Sequence, residues 1–417
     1  MKLIRKLIVG ISTIGLLIMT FVSATYAWFE INSRASIENF HFEVHGGQGF
    51  QVSIDNVKYT SDLKLDQLQK VMLVEYGAGK YRLATDGSQK LYEIGYDEFD
   101  NEVVSEMSQE SINTAVSKYI KLLPVTSMNG RDMTDLYSSP SYASTGRFVQ
   151  FSIYFKTQSD RVQDNVSYQI YLSGEEQTND DNIVVEPTRI TSEKTVVGLD
   201  ANMVATINEN GSKHIKQLIR VSGGQRDSID VYSSNALRLS TTESTKEEYL
   251  MVDENNEPIL DGEGNQKKGI RYVANESSTK IYELNDTENK NTDLGSYATD
   301  YTGGKSEGEL DSMIGQTDPL EDELLALYCA KFNAMYTYYN NLKPDAKLTD
   351  RLLSYSNKPA TITNLSNHDV ITTVTSGEEA KLITFRVWLE GWDADCFDGL
   401  SKAVKIRLAF GSKRVDY

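Results

Sequence analysis

Two histidines and a glutamate alternate with apolar residues early in the chain, at His41, Glu43 and His45. Successive side chains of a β-strand point to opposite faces, so these three share one face if the segment is extended. Two imidazoles and a carboxylate form a ligand set that zinc or another transition metal accepts. The alternative interpretation is the polar side of an amphipathic strand whose other face, with Phe42 and Val44, is buried.

A second group of potential metal ligands is acidic and follows a strand pattern near the C-terminus. Its carboxylates are Glu390, Asp393, Asp395 and Asp398. Carboxylate oxygens are the ligands that Ca²⁺ prefers, so this acidic group suggests calcium as a cofactor. The spacing differs from that of an EF-hand loop, and aspartates are frequent in turns that bind no metal.

Enzyme signatures give little support to a catalytic function. The chain contains no His-Glu-x-x-His metallopeptidase motif and no phosphate-loop pattern. Asp and Glu together number 60, so carboxylate pairs are abundant and none is singled out for glycoside hydrolysis. The sequence therefore favours a non-enzymatic protein, and a surface hydrolase ranks third among the functional hypotheses.

The N-terminus has the layout of a secretory signal. A basic head over residues 2–6 precedes an apolar stretch over residues 8–22, and small residues follow up to Ala27. We expect residues 1–27 to be removed as a signal peptide, with Ala24 as the other cleavage position, so that the membrane is a partner only before cleavage. An uncleaved anchor is the alternative, although a typical spanning helix needs ~20 apolar residues.

The composition is that of a folded and strongly acidic protein. Of the 417 residues, 39% are hydrophobic and 24% are charged, which supports a packed core rather than disorder. The formal net charge of −18 repels phosphate backbones and excludes nucleic acid as a partner. The two cysteines, Cys329 and Cys396, form one long-range disulfide or remain buried thiols, and the sequence leaves both open.

Alternating apolar and polar residues predict the principal strands. The patterns cover residues 40–45, 50–55, 148–155, 166–172, 382–389 and 403–410. A glycine-rich turn separates the first two patterns, and a short helix is predicted in an acidic stretch near residues 101–116.

A long amphipathic helix is predicted over residues 319–341. Asp318 suits its N-cap, and leucine, tyrosine and phenylalanine form a stripe along one face. The helix lies in a polar, loop-rich stretch, residues 235–355, which we interpret as an insertion. Many strands and one long helix predict an all-β fold, a jelly-roll-like β-sandwich whose core comprises residues 28–234 and 356–417.

The end of the signal reads Thr25-Tyr26-Ala27-Trp28-Phe29, a Thr-x-Ala step followed by aromatic residues. This resembles the signals of TasA and camelysin-like proteins, secreted Gram-positive proteins that are processed by a signal peptidase of the SipW type. The segments Val387–Gly391 and Asp393–Cys396 are similar to uncharacterised Firmicutes surface proteins with such signals. The insertion over residues 235–355 departs from the family, and the missing metallopeptidase motif argues against the peptidase activity assigned to camelysin relatives.

The resemblance implies a secreted jelly-roll subunit of extracellular fibres in a biofilm matrix or on the cell surface. Assembly would proceed by strand addition, in which an N-terminal strand with Trp28, Phe29, Phe40, Phe42 and Val44 pairs with another copy. Such head-to-tail contacts do not close and build filaments. Pairing of this strand within its own subunit is the alternative. The expected partners are other copies and other components of the matrix or cell wall.

A surface adhesin or carbohydrate-binding module is the second functional hypothesis. In this hypothesis, exposed aromatic side chains in the 235–355 insertion bind the ligand. Tyrosine is frequent in this chain, with 24 residues against 13 phenylalanines and 3 tryptophans. Tyrosine stripes pack in cores as well as on binding surfaces, so the sequence leaves the two hypotheses to be separated by experiment.

Overall fold

The computed structural model describes part of the chain, and all structural statements concern that part. The described residues are 40–127, 129–133, 146–158, 166–178, 183–198, 204–207, 217–220, 228–252, 257–262, 264–284, 362–390 and 403–416. The predicted signal 1–27, Trp28 and Phe29, the predicted helix 319–341 and both cysteines lie outside these residues.

Strands contain 51% of the described residues, which confirms the all-β class. The first strands in chain order are β1 (Phe40–His45), β2 (Phe50–Ser53), β3 (Asp62–Leu63), β4 (Tyr81–Leu83), β5 (Leu91–Tyr96), β6 (Glu102–Glu106), β7 (Pro124–Val125), β8 (Val149–Thr157), β9 (Val166–Leu172), β10 (Gln177–Thr178) and β11 (Val184–Val185). They are followed by β12 (Arg189–Ser192), β13 (Lys194–Gly198), β14 (Val204–Ile207), β15 (Gln217–Arg220), β16 (Ser228–Tyr232), β17 (Leu237–Leu250), β18 (Lys268–Ala274), β19 (Lys280–Glu283), β20 (Thr372–Thr375), β21 (Lys381–Glu390) and β22 (Val404–Asp416).

Two sheets hold most of these strands. Sheet 1 has the order β20-β9-β22-β1-β3, and β12 also pairs with β22. Sheet 2 has the order β18-β17-β21-β8-β2, with β19 paired to β17 and β7 paired to β21. The remaining strands form a three-stranded sheet, β4-β5-β6, and the pairs β10–β11, β13–β16 and β14–β15.

Phenylalanine side chains join the inner faces of the two sheets. The ring of Phe42 on β1 lies 5.4 Å from that of Phe151 on β8, between ring centroids. Phe410 on β22 lies 5.1 Å from Phe155 on β8 and 5.7 Å from Phe385 on β21. All five rings are buried, and these three contacts are edge-to-face, which aromatic pairs favour. Each sheet therefore covers the apolar face of the other, as in a β-sandwich.

β1, the first strand of the described residues, lies inside sheet 1. All six of its residues pair in parallel with β22, from Phe40 opposite Val404 to His45 opposite Ala409. On its other side, β3 pairs in antiparallel fashion with the last two residues of β1. The first described strand of the chain is thus hydrogen-bonded to the last one.

Two α-helices occur in the described residues, α1 (Leu65–Tyr76) and α2 (Gln109–Tyr119). α1 contacts β1 and β8, and it buries Leu68 and Met72 in the same core as the sheets. α2 packs on α1 and is capped by Ser108, whose Oγ accepts the backbone N–H of Ser111 at 3.2 Å. The helix predicted near residues 101–116 therefore begins later, after β6.

The outer face of sheet 2 carries a second buried apolar cluster, which includes Met133 and Phe148. Val125 of β7 and Ile281 of β19 belong to this cluster with Trp388 of β21. Trp388 Nε1 donates to Glu390 Oε2 at 3.0 Å, and both residues are fully buried. Arg238 of β17 is also fully buried, and its Nη1 donates to two backbone carbonyls at 3.1 Å.

The predicted polar insertion contains a strand of the core. Eight residues of β17 pair with β21, and its Leu237 and Leu239 are buried between the sheets. Residues 245–250 of β17 and most of β18 are exposed and form a projecting hairpin. The boundary predicted at residue 235 is therefore too early, because a polar composition does not reveal a half-strand that pairs with a distant partner.

Candidate functional site

His41, Glu43 and His45 share the outer face of β1, as their alternation predicts. His41 Nε2 lies 3.3 Å from Glu43 Oε1, and His45 Nε2 lies 3.8 Å from Glu43 Oε2. Glu43 is therefore the common neighbour of both imidazoles. Its side chain is 27% exposed, whereas that of His41 is 50% exposed.

Glu43 also binds two cations of β22. Lys405 Nζ lies 3.2 Å from Glu43 Oε1, and Arg407 Nε donates to Glu43 Oε2 at 3.2 Å. Arg407 is the register partner of Glu43 across the parallel strand pair. Partial burial raises the pKa of Glu43, but the hydrogen bonds from Lys405 and Arg407 outweigh burial and lower the pKa from 4.5 to about 2.

Further polar side-chain contacts connect this face to neighbouring segments. His45 Nδ1 lies 3.1 Å from Asp62 Oδ1 on β3. Arg407 also pairs with Glu186, which precedes β12. Side-chain contacts therefore link β1 to both of the strands that flank it, in addition to the backbone ladder.

The contacts of Glu43 place two positively charged side chains, Lys405 and Arg407, at the predicted metal site. In the described ranges, no group of three or more His, Cys, Asp or Glu side chains is arranged to hold a metal ion. Lys405 and Arg407 already neutralise the only carboxylate of the predicted set, and they would repel a divalent cation beside it. Metal binding by His41, Glu43 and His45 stays a prediction.

The predicted calcium ligands are described only in part. Glu390 is the last residue of β21, where it is buried and accepts the hydrogen bond of Trp388. Asp393, Asp395 and Asp398 lie outside the described residues. The calcium prediction therefore depends on these three aspartates.

The predicted assembly strand is described from Phe40 onward. Phe42 and Val44 are buried between the sheets, and their strand pairs with β22 of the same chain. The single chain thus contains the intrachain pairing that the sequence left as the alternative. Trp28 and Phe29 lie outside the described residues.

A groove runs between β1 and the two helices, and it is here called the polar groove after the carboxamides of its helical wall, although most of its lining surface is apolar. It consists of two cavities of about 570 and 580 Å³, which share His41, Gln69 and Asn113 in their walls. One cavity extends to Lys405 of β22, and the other extends to Asp62 of β3. Both volumes fall in the range of ~300–1,000 Å³ that is typical of ligand pockets.

Three carboxamides form the helical wall of the polar groove: Gln69 of α1 and Gln109 and Asn113 of α2. Gln109 Nε2 donates to Gln69 Oε1 at 3.0 Å and to Asn113 Oδ1 at 3.1 Å. These two bonds fix the orientation of all three groups. Within the described part of the chain, Gln69 Nε2, Asn113 Nδ2 and Gln109 Oε1 have no partner.

Sequence reasoning missed the cations and the carboxamides of this site. The alternation of β22 does place Lys405 and Arg407 on one face, so that signal is present in the sequence. Glu43 and Arg407 are 364 positions apart, however, and nothing in one sequence pairs them. No local pattern distinguishes Gln69 and Asn113 from any other exposed helical amide.

Two further observations bear on the class of protein. One Gly-x-Ser-x-Gly match occurs at residues 304–308, outside the described residues. The motif is informative only in a strand–turn–helix context, so it identifies no nucleophile here.

In the described residues, no helix has the length and apolar character that crossing a membrane requires.

Comparison with known proteins gives no relative from which to transfer a function. The chain matches no protein-family model, no curated protein and no solved structure.

Proposed function

We propose that this chain is a secreted, non-enzymatic structural protein of the bacterial cell surface or matrix. Its sandwich is of the jelly-roll type, and copies assemble into filaments by exchanging the N-terminal strand. The signal-like N-terminus and its resemblance to TasA and camelysin-like proteins support secretion. Other copies are the main partners, and other matrix or cell-wall components are secondary ones.

The observation that carries this proposal is the parallel pairing of β1 with β22. β1 is the first described strand, and it contributes Phe42 and Val44 to the core. A terminal strand can leave its own sheet and occupy the same position in another copy, where it makes the same contacts. The alternation of buried and exposed residues fixes the register, because a slip by one residue would bury His41 or Glu43.

The side-chain network would make the exchanged strand specific. Glu43 of one copy would bind Lys405 and Arg407 of the next, as it does within the chain. In the proposed filament each copy accepts the strand of one neighbour and donates its own to another, so the contacts are head-to-tail and the assembly stays open as long as the rotation between copies does not close a ring.

Electron microscopy of negatively stained protein 28–417 tests this proposal. We expect filaments from the wild type and folded monomers from the variant Trp28→Ser/Phe29→Ser, which removes the aromatic start of the exchanged segment. The matched control is Tyr96→Ser/Phe99→Ser, because these aromatics are 69% and 77% exposed on a separate hairpin. We expect the control to form filaments.

Two outcomes would contradict the proposal: monodisperse particles from the wild type, or unchanged filaments from Trp28→Ser/Phe29→Ser. A truncation that starts at residue 46 is unsuitable, because it removes Phe42 and Val44 from the core. Loss of filaments from that truncation would report unfolding as readily as loss of the exchanged strand.

The adhesin or carbohydrate-binding module is the second candidate. The polar groove is the specific observation that favours it, since the groove offers ordered amide groups to a ligand.

A further inference from the structure

We propose that the polar groove binds a neutral glycan, a polyhydroxylated chain without charged groups. This inference does not rest on filament assembly, because the groove is complete within one chain. Its walls are the carboxamides Gln69, Gln109 and Asn113 on one side and His41, Thr191 and Lys405 on the other.

The first argument is the arrangement of hydrogen-bonding groups. A sugar hydroxyl both donates and accepts a hydrogen bond, and a carboxamide offers the same combination from adjacent atoms. In the described residues, the donors Gln69 Nε2 and Asn113 Nδ2 have no hydrogen-bond partner, and neither does the acceptor Gln109 Oε1. The three carboxamides thus leave two donors and one acceptor, and sugar hydroxyls can satisfy both kinds of group.

The second argument is that the amides are held in place before a ligand arrives. Gln109 Nε2 bridges Gln69 Oε1 and Asn113 Oδ1, so the three side chains support one another across two helices. Ordering these side chains on binding would therefore cost less entropy than ordering free glutamines.

The third argument is charge balance, which favours a neutral ligand over an ionic one. Lys405 lies 3.2 Å from Glu43, so its charge is already paired, and His45 is hydrogen-bonded to Asp62 at 3.1 Å. Lys64 and Asp66 line one end of the groove with opposite charges, and Glu193 adds a carboxylate at the other end, which disfavours an anionic ligand. The chain as a whole carries −18, which repels polyanions.

The fourth argument is shape. The floor of the groove follows the outer face of β1 from His41 to His45, a length of about 13 Å at ~3.3 Å per residue. Two adjoining cavities of about 570 and 580 Å³ suit an extended oligosaccharide better than a single sugar.

Isothermal titration calorimetry with four defined oligosaccharides tests the proposal. Chitopentaose, cellopentaose and laminaripentaose are the neutral probes, and pentagalacturonic acid is the charged one. We expect saturable binding of at least one neutral probe and none of the charged probe. Asn113→Asp and Gln69→Glu keep the shape but replace donors by acceptors, and each should weaken binding about tenfold, the equivalent of one hydrogen bond.

The matched control is Glu110→Gln, an exposed change on the same helix as Asn113 that does not line the groove. We expect it to bind as the wild type does. All three substitutions lie on helix surfaces, and circular dichroism verifies that each variant is folded. Three results would overturn the proposal: no saturable binding of any neutral probe, equal binding by wild type, Asn113→Asp and Gln69→Glu, or preferential binding of pentagalacturonic acid.

Discussion

Strands of both sheets alternate inward-facing apolar residues with outward-facing residues, but the outward residues are partly exposed on sheet 1 and buried on sheet 2. On sheet 1, Glu43, Lys405 and Arg407 form ion pairs that remain partly exposed beside a groove. On sheet 2, the outward positions Arg238 and Trp388 are fully buried, and Trp388 belongs to an apolar cluster with Val125, Met133, Phe148 and Ile281. A polar or charged residue at an outward strand position therefore does not by itself mark a solvated face.

The difference lies in what the chain places over each sheet. β17 pairs with β19 on one side and β21 on the other, and the apolar cluster around Trp388 closes over them. The buried Arg238 then requires the hydrogen bonds that it makes to backbone carbonyls, because an unpaired buried charge is costly. Sheet 1 keeps its charged face accessible, which is why the candidate site lies there.

The largest expected effect comes from removing an arginine from each face. Arg238→Ala should lower the free energy of unfolding by about 3–5 kcal/mol, since it leaves buried carbonyls and Glu283 without their cation. Arg407→Ala should cost less, about 1 kcal/mol, because its ion pairs with Glu43 and Glu186 remain partly accessible to water. Urea denaturation of both variants measures the contrast. If both variants lost the same free energy of unfolding, the proposed difference between the buried outer face of sheet 2 and the accessible outer face of sheet 1 would be wrong.

A smaller effect is expected from Glu43→Gln, and it depends on pH. The pKa of Glu43 is lowered to about 2 in the folded chain, so its carboxylate stabilises the fold above pH 4.5, and this contribution is lost between pH 4.5 and 2. At pH 7 the variant should be less stable than the wild type by about 1 kcal/mol.

Urea denaturation over that pH range provides the test. The stability difference between wild type and Glu43→Gln should shrink steadily below pH 4.5 and vanish near pH 2. A difference that stays constant with pH would show that Glu43 acts through packing rather than through its charge.

Local patterns in the sequence were sufficient to predict most core strands. The alternation of Phe40 to His45 and of Ala403 to Phe410 predicts β1 and β22, and burial of Phe42 and Ile406 follows from it. The sequence patterns described above do not predict α1, although Leu65, Leu68 and Met72 have helical spacing.

The strand pairings that form the candidate site could not be predicted from the sequence. Parallel pairing of β1 with β22 joins the two ends of the described chain, and no local signal specifies such a long-range partner. The polar groove likewise requires two helices to face one strand, so Gln69 and Asn113 acquire a role only in the tertiary structure.

Disulfide trapping of β1 tests exchange of the N-terminal strand most directly. His41 and Lys405 are register partners on strands ~4.8 Å apart, so cysteines at these positions can bridge. The variant His41→Cys/Lys405→Cys, in a Cys329→Ser/Cys396→Ser background, would be oxidised after assembly and dissolved in detergent without reductant. We predict a ladder of covalent multimers, because each bridge would join two copies. Filaments that release only internally bridged monomers would show that β1 stays in its own chain and would contradict the account.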